Sequence, residues 1–271
     1  MTHATADRPP LRLAIVGAGR MGGAVLQGAL AAEVLTADEV GIFHPNARRL
    51  AELSERYGVS GIDDDALHHA ERVLLAVKPQ SFDAVAPLVA QRNASFISLM
   101  AGVTAATIAR RVGSKRVIRA MPNLGASLGV SATALTWLPE ATQEDVAMAR
   151  NLFGSVGRVY DLREALFDAF TGLAGSGPAF AAVVAEALGD GGVRVGLDRS
   201  TARDLARQVL LATARLLETK HPSELKDEVS SAGGTAIAGV RTLERHRLRF
   251  ALIDAIEEAT RRAGELSRED G

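Results

Sequence analysis

The sequence predicts a two-part α/β protein, with a doubly wound parallel sheet first and an all-helical part after it. Three observations predict this class. Short apolar runs alternate with helix-like segments in the first part, and a glycine-rich turn directly follows the first run. Beyond about residue 161 the strand signals end and apolar residues recur at helical spacing. We therefore predict domains at residues 1–161 and 162–271, with residues 1–10 as a loose tail.

The elements follow in order along the chain. Strand signals lie at residues 11–16, 40–43, 72–77, 96–99 and 117–119, and helix-like segments lie between them, among them 24–32 and 47–57. This alternation predicts a parallel sheet with helices on both faces. In the second part, residues 201–219 and 248–266 have helical periodicity. Residues 179–188 are apolar on nearly every face, which predicts burial against a partner chain.

Composition excludes several classes of function. The formal net charge is −1 and the pI is about 6.6, so nucleic acid and anionic membranes are not predicted partners. The chain has no cysteine, which excludes disulfides and thiolate chemistry, and we predict no metal site. Residues 120–139 are uncharged but too polar and too broken for a membrane span, and residues 1–10 lack the apolar core of a secretory signal. We expect a cytoplasmic protein.

The turn after the first strand reads Gly17-Ala18-Gly19-Arg20-Met21-Gly22 and predicts a dinucleotide site of the Rossmann type. Gly17 permits a tight turn, Gly19 lets the backbone approach a pyrophosphate, and Gly22 allows close helix packing. Arg20 and Met21 complete the predicted contacts. A purely structural turn is the alternative, and the position between a strand and a helix favours the dinucleotide.

The end of the second strand predicts the choice of coenzyme. It reads His44-Pro45-Asn46-Ala47-Arg48-Arg49 and has no carboxylate for the ribose hydroxyls of NAD. Nearby arginines hold a 2′-phosphate more readily than a bare hydroxyl pair, so Asn46 and Arg48 predict NADPH, with NADH still possible. A solvated helix face is the alternative interpretation of both arginines.

A glycine pair, Gly233-Gly234, lies where the flanking pattern is helical. Adjacent glycines are costly inside a helix unless a backbone must pass close to another group. A glycine turn that leads into a new helix presents free N–H groups to a small anion such as a carboxylate. An ordinary turn between helices explains the pair equally well.

Five further motifs follow one another along the chain. They are Ala76-Val77-Lys78-Pro79-Gln80, Arg119-Ala120-Met121-Pro122-Asn123, Thr171-Gly172-Leu173-Ala174-Gly175-Ser176-Gly177-Pro178-Ala179-Phe180, Asp190-Gly191-Gly192-Val193, and the segment from His221-Pro222 through Val229-Ser230-Ser231 to Gly233-Gly234-Thr235. In order and spacing they resemble the motifs of the pyrroline-5-carboxylate reductase family, over almost the whole chain. Several motifs in the right order are far more specific than any single one.

The resemblance implies NADPH-dependent hydride transfer to the C=N carbon of 1-pyrroline-5-carboxylate, a cyclic imine carboxylate, which gives L-proline. It implies an all-α dimerisation domain, and hence a homodimer or a larger homo-oligomer. The implied substrate residues are Ser176, Gly177, Pro178, Ser231, Gly233, Gly234, Thr235 and Ala236, of which Ser231 and Thr235 are the catalytic candidates. The residues implied at the nicotinamide pocket are Ala76, Val77, Lys78, Pro79, Ala101 and Gly102.

Departures from the family pattern leave alternatives open. The chain has Ala174, Phe180 and Ala232 where the family usually has serine, tyrosine and proline. Ala236 replaces a residue whose hydroxyl is thought to bond the imine nitrogen, and Leu124-Gly125 follows Asn123 where Thr-Pro is common. A different cyclic imine, or a dinucleotide-binding protein without catalysis, are the alternatives. Relatives of the hydroxyacid dehydrogenase type use a lysine early in the helical half. The chain has no lysine between Lys115 and Lys220, which argues against that type.

Overall fold

An eight-stranded sheet forms the centre of the first part of the chain. The computed structural model describes residues 11–90 and 93–269, and the predicted tail at residues 1–10 lies outside them. The strands are β1 (Leu13–Val16), β2 (Val40–Phe43), β3 (Ser60–Gly61), β4 (Arg72–Leu75), β5 (Ser95–Ser98), β6 (Val117–Pro122), β7 (Ser131–Trp137) and β8 (Gly157–Asp161). Their order in the sheet is β3-β2-β1-β4-β5-β6-β7-β8. This architecture confirms the predicted α/β class.

Three of these strands were not predicted from the sequence. β3 has two residues, β7 consists largely of small and hydroxyl-bearing residues, and β8 is a half-exposed edge strand. None of them has the apolar run that marks a strand buried on both faces. β7 pairs antiparallel with β6, and β8 pairs parallel with β7, so the last two strands run against the others.

Twelve α-helices surround or follow the sheet in the described residues. They are α1 (Arg20–Ala31), α2 (Ala47–Tyr57), α3 (Asp64–His68), α4 (Phe82–Val89), α5 (Ala105–Val112), α6 (Gln143–Gly154), α7 (Phe167–Phe170), α8 (Gly177–Arg194), α9 (Arg199–Leu216), α10 (Pro222–Val229), α11 (Thr235–Arg245) and α12 (Leu248–Glu269). A π-helical turn, Thr171–Gly175, joins α7 to α8. The predicted helix at 47–57 has the bounds expected, whereas α1 begins one turn earlier than predicted.

The hydrophobic core lies on both faces of the sheet. Leu13 and Ile15 of β1 pack in one cluster with residues of α1, α2 and α6, and Ala14 and Val16 pack in the other with residues of α3, α4 and α5. Successive residues of a strand point to opposite faces, so one buried apolar run supplies both clusters. Because helices cover both faces of the sheet, a ligand can bind at the carboxyl ends of the strands.

The described chain divides into two compact units. The first contains the residues up to Gly175 and those from Thr260 onward, and the second spans Ser176–Ala259. The sequence boundary near residue 161 stays a prediction. Within the second unit α8 packs on α9, where a Cβ added to Gly192 would lie 3.0 Å from the Cβ of Ala202. The glycine in the Asp190-Gly191-Gly192-Val193 motif therefore permits the close approach of these helices.

One helical stretch, Glu164–Arg194, is long and apolar enough to cross a membrane by length and composition alone. Only 11% of its apolar window is buried within the chain. Several large apolar side chains of α8 and α9 are exposed, among them Val183, Leu188 and Val209. An exposed apolar surface of this kind is typical of a face that a partner covers.

Candidate active site

The glycine turn after β1 brings together two groups of residues that the sequence predicts at the coenzyme. Gly17 has a φ of 80°, and its N–H donates to the carbonyl of Phe43 at 3.1 Å. A Cβ on Gly17 would lie 2.4 Å from Cγ1 of Val77, and one on Gly22 would lie 2.9 Å from the Cβ of Ala76. Both glycines are therefore required by the close packing of the turn and α1 against the segment that follows β4.

Gly19 differs from these two glycines because the space beside it is empty. A Cβ added there meets no other atom within 4 Å, and its φ of −72° is open to any residue. Gly19 is also the N-cap of α1, without a side-chain cap, and the first turn of the helix has no acidic residue. Free N–H groups, the positive end of the helix dipole and open space fit a diphosphate. Arg20 is exposed and Met21 is half-buried beside them.

The segment after β2 begins α2 with Asn46 as its N-cap. Oδ1 of Asn46 accepts the N–H of Arg49 at 3.0 Å, which leaves the amide Nδ2 for a ligand. The Arg48 side chain is 90% exposed, and its Nε lies 3.4 Å from Glu52 Oε1. A surface pair of this kind contributes little stability, so Arg48 can turn toward a phosphate at low cost.

The remaining coenzyme candidates follow β4 and β5, which are neighbours in the sheet. Lys78 is exposed and precedes the short 3₁₀ turn Pro79–Ser81. Ala101 is exposed, and Gly102 has a φ of 77°. The carboxyl ends of β2, β1, β4 and β5 therefore carry all the predicted coenzyme residues along one edge of the sheet, as expected for a doubly wound fold.

An ion pair between buried Arg119 and half-buried Glu164 is hydrogen-bonded to Ala105, shortly after the segment that contains Ala101 and Gly102. Arg119 is 5% exposed, and its Nη1 donates to Glu164 Oε1 at 3.1 Å. The same Oε1 accepts the N–H of Ala105 at 2.7 Å. Burial lowers the pKa of Arg119, although Glu164 and Asp168 oppose the shift. Sequence reasoning missed Glu164, because it is one acidic residue among many and lies 45 positions from Arg119.

Asn123 holds the π-helical turn that precedes α8. Its Nδ2 donates to the carbonyl of Ala174 at 2.9 Å, and its Oδ1 accepts the N–H groups of Gly125 and Ala132. All of its side-chain polar atoms are thus bonded within the first unit. π-Helical turns leave the regular hydrogen-bond pattern and are frequent at functional sites. Asn123 belongs to one of the motifs quoted above, but its contact with Ala174 was not predicted.

In the second unit the predicted substrate turn joins α10 to α11. Gly233 has a φ of 69°, and Gly234 is the N-cap of α11, with no side-chain cap and no acidic residue in the first turn. The N–H of Gly234 donates to the carbonyl of Ser231 at 3.0 Å. A Cβ on Gly234 would lie 2.3 Å from Oγ of Ser231, so the missing side chain leaves room for that hydroxyl.

This turn has the features of a carboxylate site. Thr235 and Ala236 are the first two residues of α11, so their N–H groups have no partner within the helix. Ser231 and Thr235 are exposed and Ala236 is half-buried. The other substrate segment begins α8, with Ser176 as the N-cap and Pro178 in the first turn. Gly177 is the first residue of that helix and meets no atom within 4 Å of an added Cβ.

The described residues contain no cluster of three or more histidine, aspartate or glutamate side chains that could hold a metal ion. The candidate site offers backbone N–H groups, hydroxyls and the arginine and asparagine side chains at the carboxyl ends of the strands. Such groups bind and orient anionic ligands.

Two family models match the chain. Residues 12–102 match the model for NADP oxidoreductase, coenzyme F420-dependent, and residues 164–266 match the model for pyrroline-5-carboxylate reductase dimerisation. The second match indicates a homo-oligomer.

Known proteins are similar along almost the whole chain. The pyrroline-5-carboxylate reductase of Thermus thermophilus is 49% identical over 261 residues, which is 96% of this chain and 100% of the relative. A solved reductase structure from Coxiella burnetii has a TM-score of 0.87 at 29% identity and covers 95% of this chain and 99% of its own. A Plasmodium falciparum pyrroline carboxylate reductase with NADP bound shares the fold, with a TM-score of 0.81 at 22% identity over 95% of this chain and 98% of its own.

Proposed function

The chain belongs to the pyrroline-5-carboxylate reductase family, and from this premise we propose how its residues carry out the NADPH-dependent reduction of 1-pyrroline-5-carboxylate to L-proline. The observation that carries the function is the near-full-length relationship to a named reductase at 49% identity. The residue roles below are supported by the geometry of the two glycine turns.

The coenzyme binds along the carboxyl edge of the sheet. The N–H groups of Arg20 and Met21, the first two residues of α1, have no partner within the helix and hold the diphosphate at its open N-terminus, whereas the N–H of Gly19 donates to the carbonyl of Gly17. Asn46 Nδ2 and the Arg48 guanidinium contact the 2′-phosphate, which selects NADPH over NADH. Ala76–Pro79 and Met100–Gly102 line the nicotinamide pocket. The packing of Gly17 and Gly22 against Val77 and Ala76 fixes the position of the glycine turn relative to this pocket.

The substrate carboxylate binds at the start of α11. Ser231 Oγ lies beside Gly234, and the N–H of Thr235 has no partner within α11, so these two groups bind the carboxylate. The N–H of Gly234 donates to the carbonyl of Ser231, and the dipole of α11 favours a negative charge at this turn. Ser176, Gly177 and Pro178 at the start of α8 pack against the ring. These contacts orient the C=N carbon, and orientation of this kind supplies a large share of a rate enhancement.

When bound, NADPH would supply the hydride that adds to the C=N carbon. A protonated imine that takes up a hydride becomes the neutral amine, so the protein does not have to donate a proton. Ala236 has no hydroxyl to bond this nitrogen. Loss of one such donor can cost on the order of a hundredfold in rate, but a protonated imine needs little acid assistance. The rate therefore depends more on binding of the substrate carboxylate by Ser231 and Thr235 than on a hydrogen bond to the imine nitrogen.

The test compares NADPH oxidation by the natural chain and by Ala236→Thr with 1-pyrroline-5-carboxylate as substrate. We expect turnover by the natural chain and a gain in kcat of no more than about tenfold from threonine, because the imine arrives protonated. Ala236→Ser is the second variant, since it restores a hydroxyl without the methyl. NADPH binding without turnover in all three proteins would contradict the function and favour a different cyclic imine or a protein without catalysis.

Coenzyme choice is tested by Asn46→Asp combined with Arg48→Ala. We expect the KM for NADPH to rise about tenfold and the KM for NADH to fall, because aspartate accepts the ribose hydroxyls and repels a 2′-phosphate. Steady-state kinetics with both coenzymes measure this change. Arg56→Ala, at the other end of α2, is the control and should change neither value. An unchanged KM for NADPH in the double variant would remove Asn46 and Arg48 from the site.

The helical half assembles two or more copies of the chain. The exposed apolar residues of α8 and α9 provide the surface that a second copy covers, which is the reason we expect no membrane partner for the stretch Glu164–Arg194. We expect sedimentation velocity to give a mass of at least twice 28.4 kDa. A mass of one chain at micromolar concentration would contradict this assembly. The cytoplasm stays the predicted compartment.

A further inference from the structure

We propose that Glu164 is a positioning residue for the reduction, which holds the segment Met100–Thr104 in the conformation that lines the nicotinamide pocket. We name this segment, between β5 and α5, the nicotinamide loop. The proposal rests on the proposed function, because the role of the loop comes from that function. It adds a residue outside the family motifs quoted above and gives it a defined task.

Glu164 fixes the end of the nicotinamide loop. Its Oε1 accepts the N–H of Ala105, the first residue of α5, at 2.7 Å. This N–H is one of those that have no partner within a helix, and a carboxylate at a helix N-terminus is further stabilised by the helix dipole. Thr104 Oγ1 accepts the N–H of Thr107, another N–H of this first turn, at 3.1 Å. The first turn of α5 is thus held both by its own N-cap, Thr104, and by Glu164, which is distant in the sequence.

The start of the nicotinamide loop is held independently. The N–H of Leu99 donates to the carbonyl of Leu75, and the N–H of Met100 donates to Ser98 Oγ at 3.2 Å. Between the two ends the backbone turns at Gly102, whose φ of 77° favours glycine. A loop anchored at both ends around one glycine turn has few other conformations, so release of one anchor should widen its range.

Glu164 is itself held in place from the sheet. Arg119 Nη1 donates to it, and the Arg119 guanidinium lies 4.5 Å from the centre of the Phe167 ring. Arg119 is opposite Ser98 in the pairing of β5 with β6. Arg119 Nε is buried without a hydrogen-bond partner among the described atoms, so Glu164 supplies the main compensation of a buried charge. A carboxylate bound to a buried cation cannot swing away as a surface carboxylate can.

These contacts separate a positioning role from a catalytic one. The bonds of Glu164 go to Ala105 and Arg119, and through Ala105 they reach the nicotinamide loop. A shift of about 1 Å in a group that orients the reacting atoms can reduce the rate by on the order of a hundredfold. Loss of the anchor should therefore lower kcat and weaken NADPH binding, with little effect on the substrate carboxylate at α11.

The experiment compares Glu164→Ala with Glu164→Gln in the full chain. Each protein is measured for kcat, for the KM of both substrates, for the Kd of NADPH by calorimetry, and for Tm. We expect Glu164→Ala to lower kcat at least tenfold and to raise the Kd of NADPH severalfold, with the KM of the imine changed less than twofold. Glu164→Gln keeps an oxygen that accepts the Ala105 N–H, and we expect it to recover most of both losses.

Two controls keep the outcome clear. Glu140→Gln removes an exposed carboxylate that pairs with Lys115, and it should match the natural chain. If Glu164→Ala does not fold, the double variant Glu164→Ala with Arg119→Met is used instead, because it also removes the buried cation that the single variant leaves uncompensated. The Ala105 N–H still lacks its acceptor in the double variant, so kcat must fall by the same factor. A lower Tm with unchanged kcat and Kd, or a glutamine variant as poor as the alanine variant, would overturn the proposal. Absence of turnover in the natural chain and in Glu140→Gln would overturn the function instead.

Discussion

Gly19→Ala is expected to raise the KM for NADPH roughly a hundredfold while the Tm of the coenzyme-free protein stays the same. The fold does not need glycine at this position, because its φ of −72° suits alanine and an added Cβ meets no atom within 4 Å. The empty space lies at the uncapped N-terminus of α1, where we place the diphosphate. A methyl group there removes the close approach of phosphate to backbone N–H groups. Kinetics at saturating imine and thermal melts measure both quantities.

Gly154→Ala is the matched control for this variant. Gly154 ends α6 in the same unit, and a Cβ added there also meets no atom within 4 Å. We expect it to leave the KM for NADPH unchanged. If Gly19→Ala bound NADPH as well as this control, the diphosphate would have to lie elsewhere, and the role of the glycine turn would be structural only.

Gly234→Ala is expected to raise the KM for the imine roughly a hundredfold and to leave the KM for NADPH unchanged. Its backbone angles suit alanine, and the nearest obstacle to a Cβ is Ser231 Oγ at 2.3 Å. The hydroxyl must therefore leave its place, and the methyl group occupies the space in which we place the substrate carboxylate. Initial rates at saturating NADPH, with a melt to confirm the fold, measure this effect.

Two further variants show whether the effect comes from the turn. Ser231→Ala alone should raise the KM for the imine by about tenfold, for one lost hydrogen bond to a charged group. Combined with Gly234→Ala it should add little, because the hydroxyl has already been displaced. Gly239→Ala, on the same helix with nothing near an added Cβ, is the control. Full additivity of the two substitutions would show that Ser231 and Gly234 act at separate places.

The parts of the fold that could be predicted have a strong local signal. The turn at Gly17 and Gly22 could be interpreted because close packing excludes side chains there, and α2 could be bounded because Asn46 and Gly58 cap it. β7 and β8 could not, because half-exposed strands of small and polar residues lack an apolar run. The early start of α1 was missed because Gly22 and Gly23 lie inside the helix, where glycine is unfavourable.

The candidate site divides in the same way. Residues that contact a ligand through the backbone leave a glycine signature in the sequence, and Gly19 and Gly234 could be found from it. Glu164 acts through a neighbour, and its contacts join it to Ala105 and Arg119, which are 59 and 45 positions away. No periodicity or spacing in one sequence marks such a contact. Residues of this kind become visible only when the fold brings the segments together.

The contact between Gly102 and α12 bears on the order in which the protein is built during synthesis. A Cβ on Gly102 would lie 3.4 Å from Cα of Ser267, and Ser267 Oγ donates to Asp168 Oδ1 at 3.0 Å. Ser267 follows the whole of the second unit in the sequence. The ribosome therefore completes the coenzyme unit only after it has made the helical one. Domains usually fold in the order in which they are synthesised, beginning at the N-terminus. Here the first unit cannot be completed until the C-terminal residues of α12 have been synthesised and have packed against it.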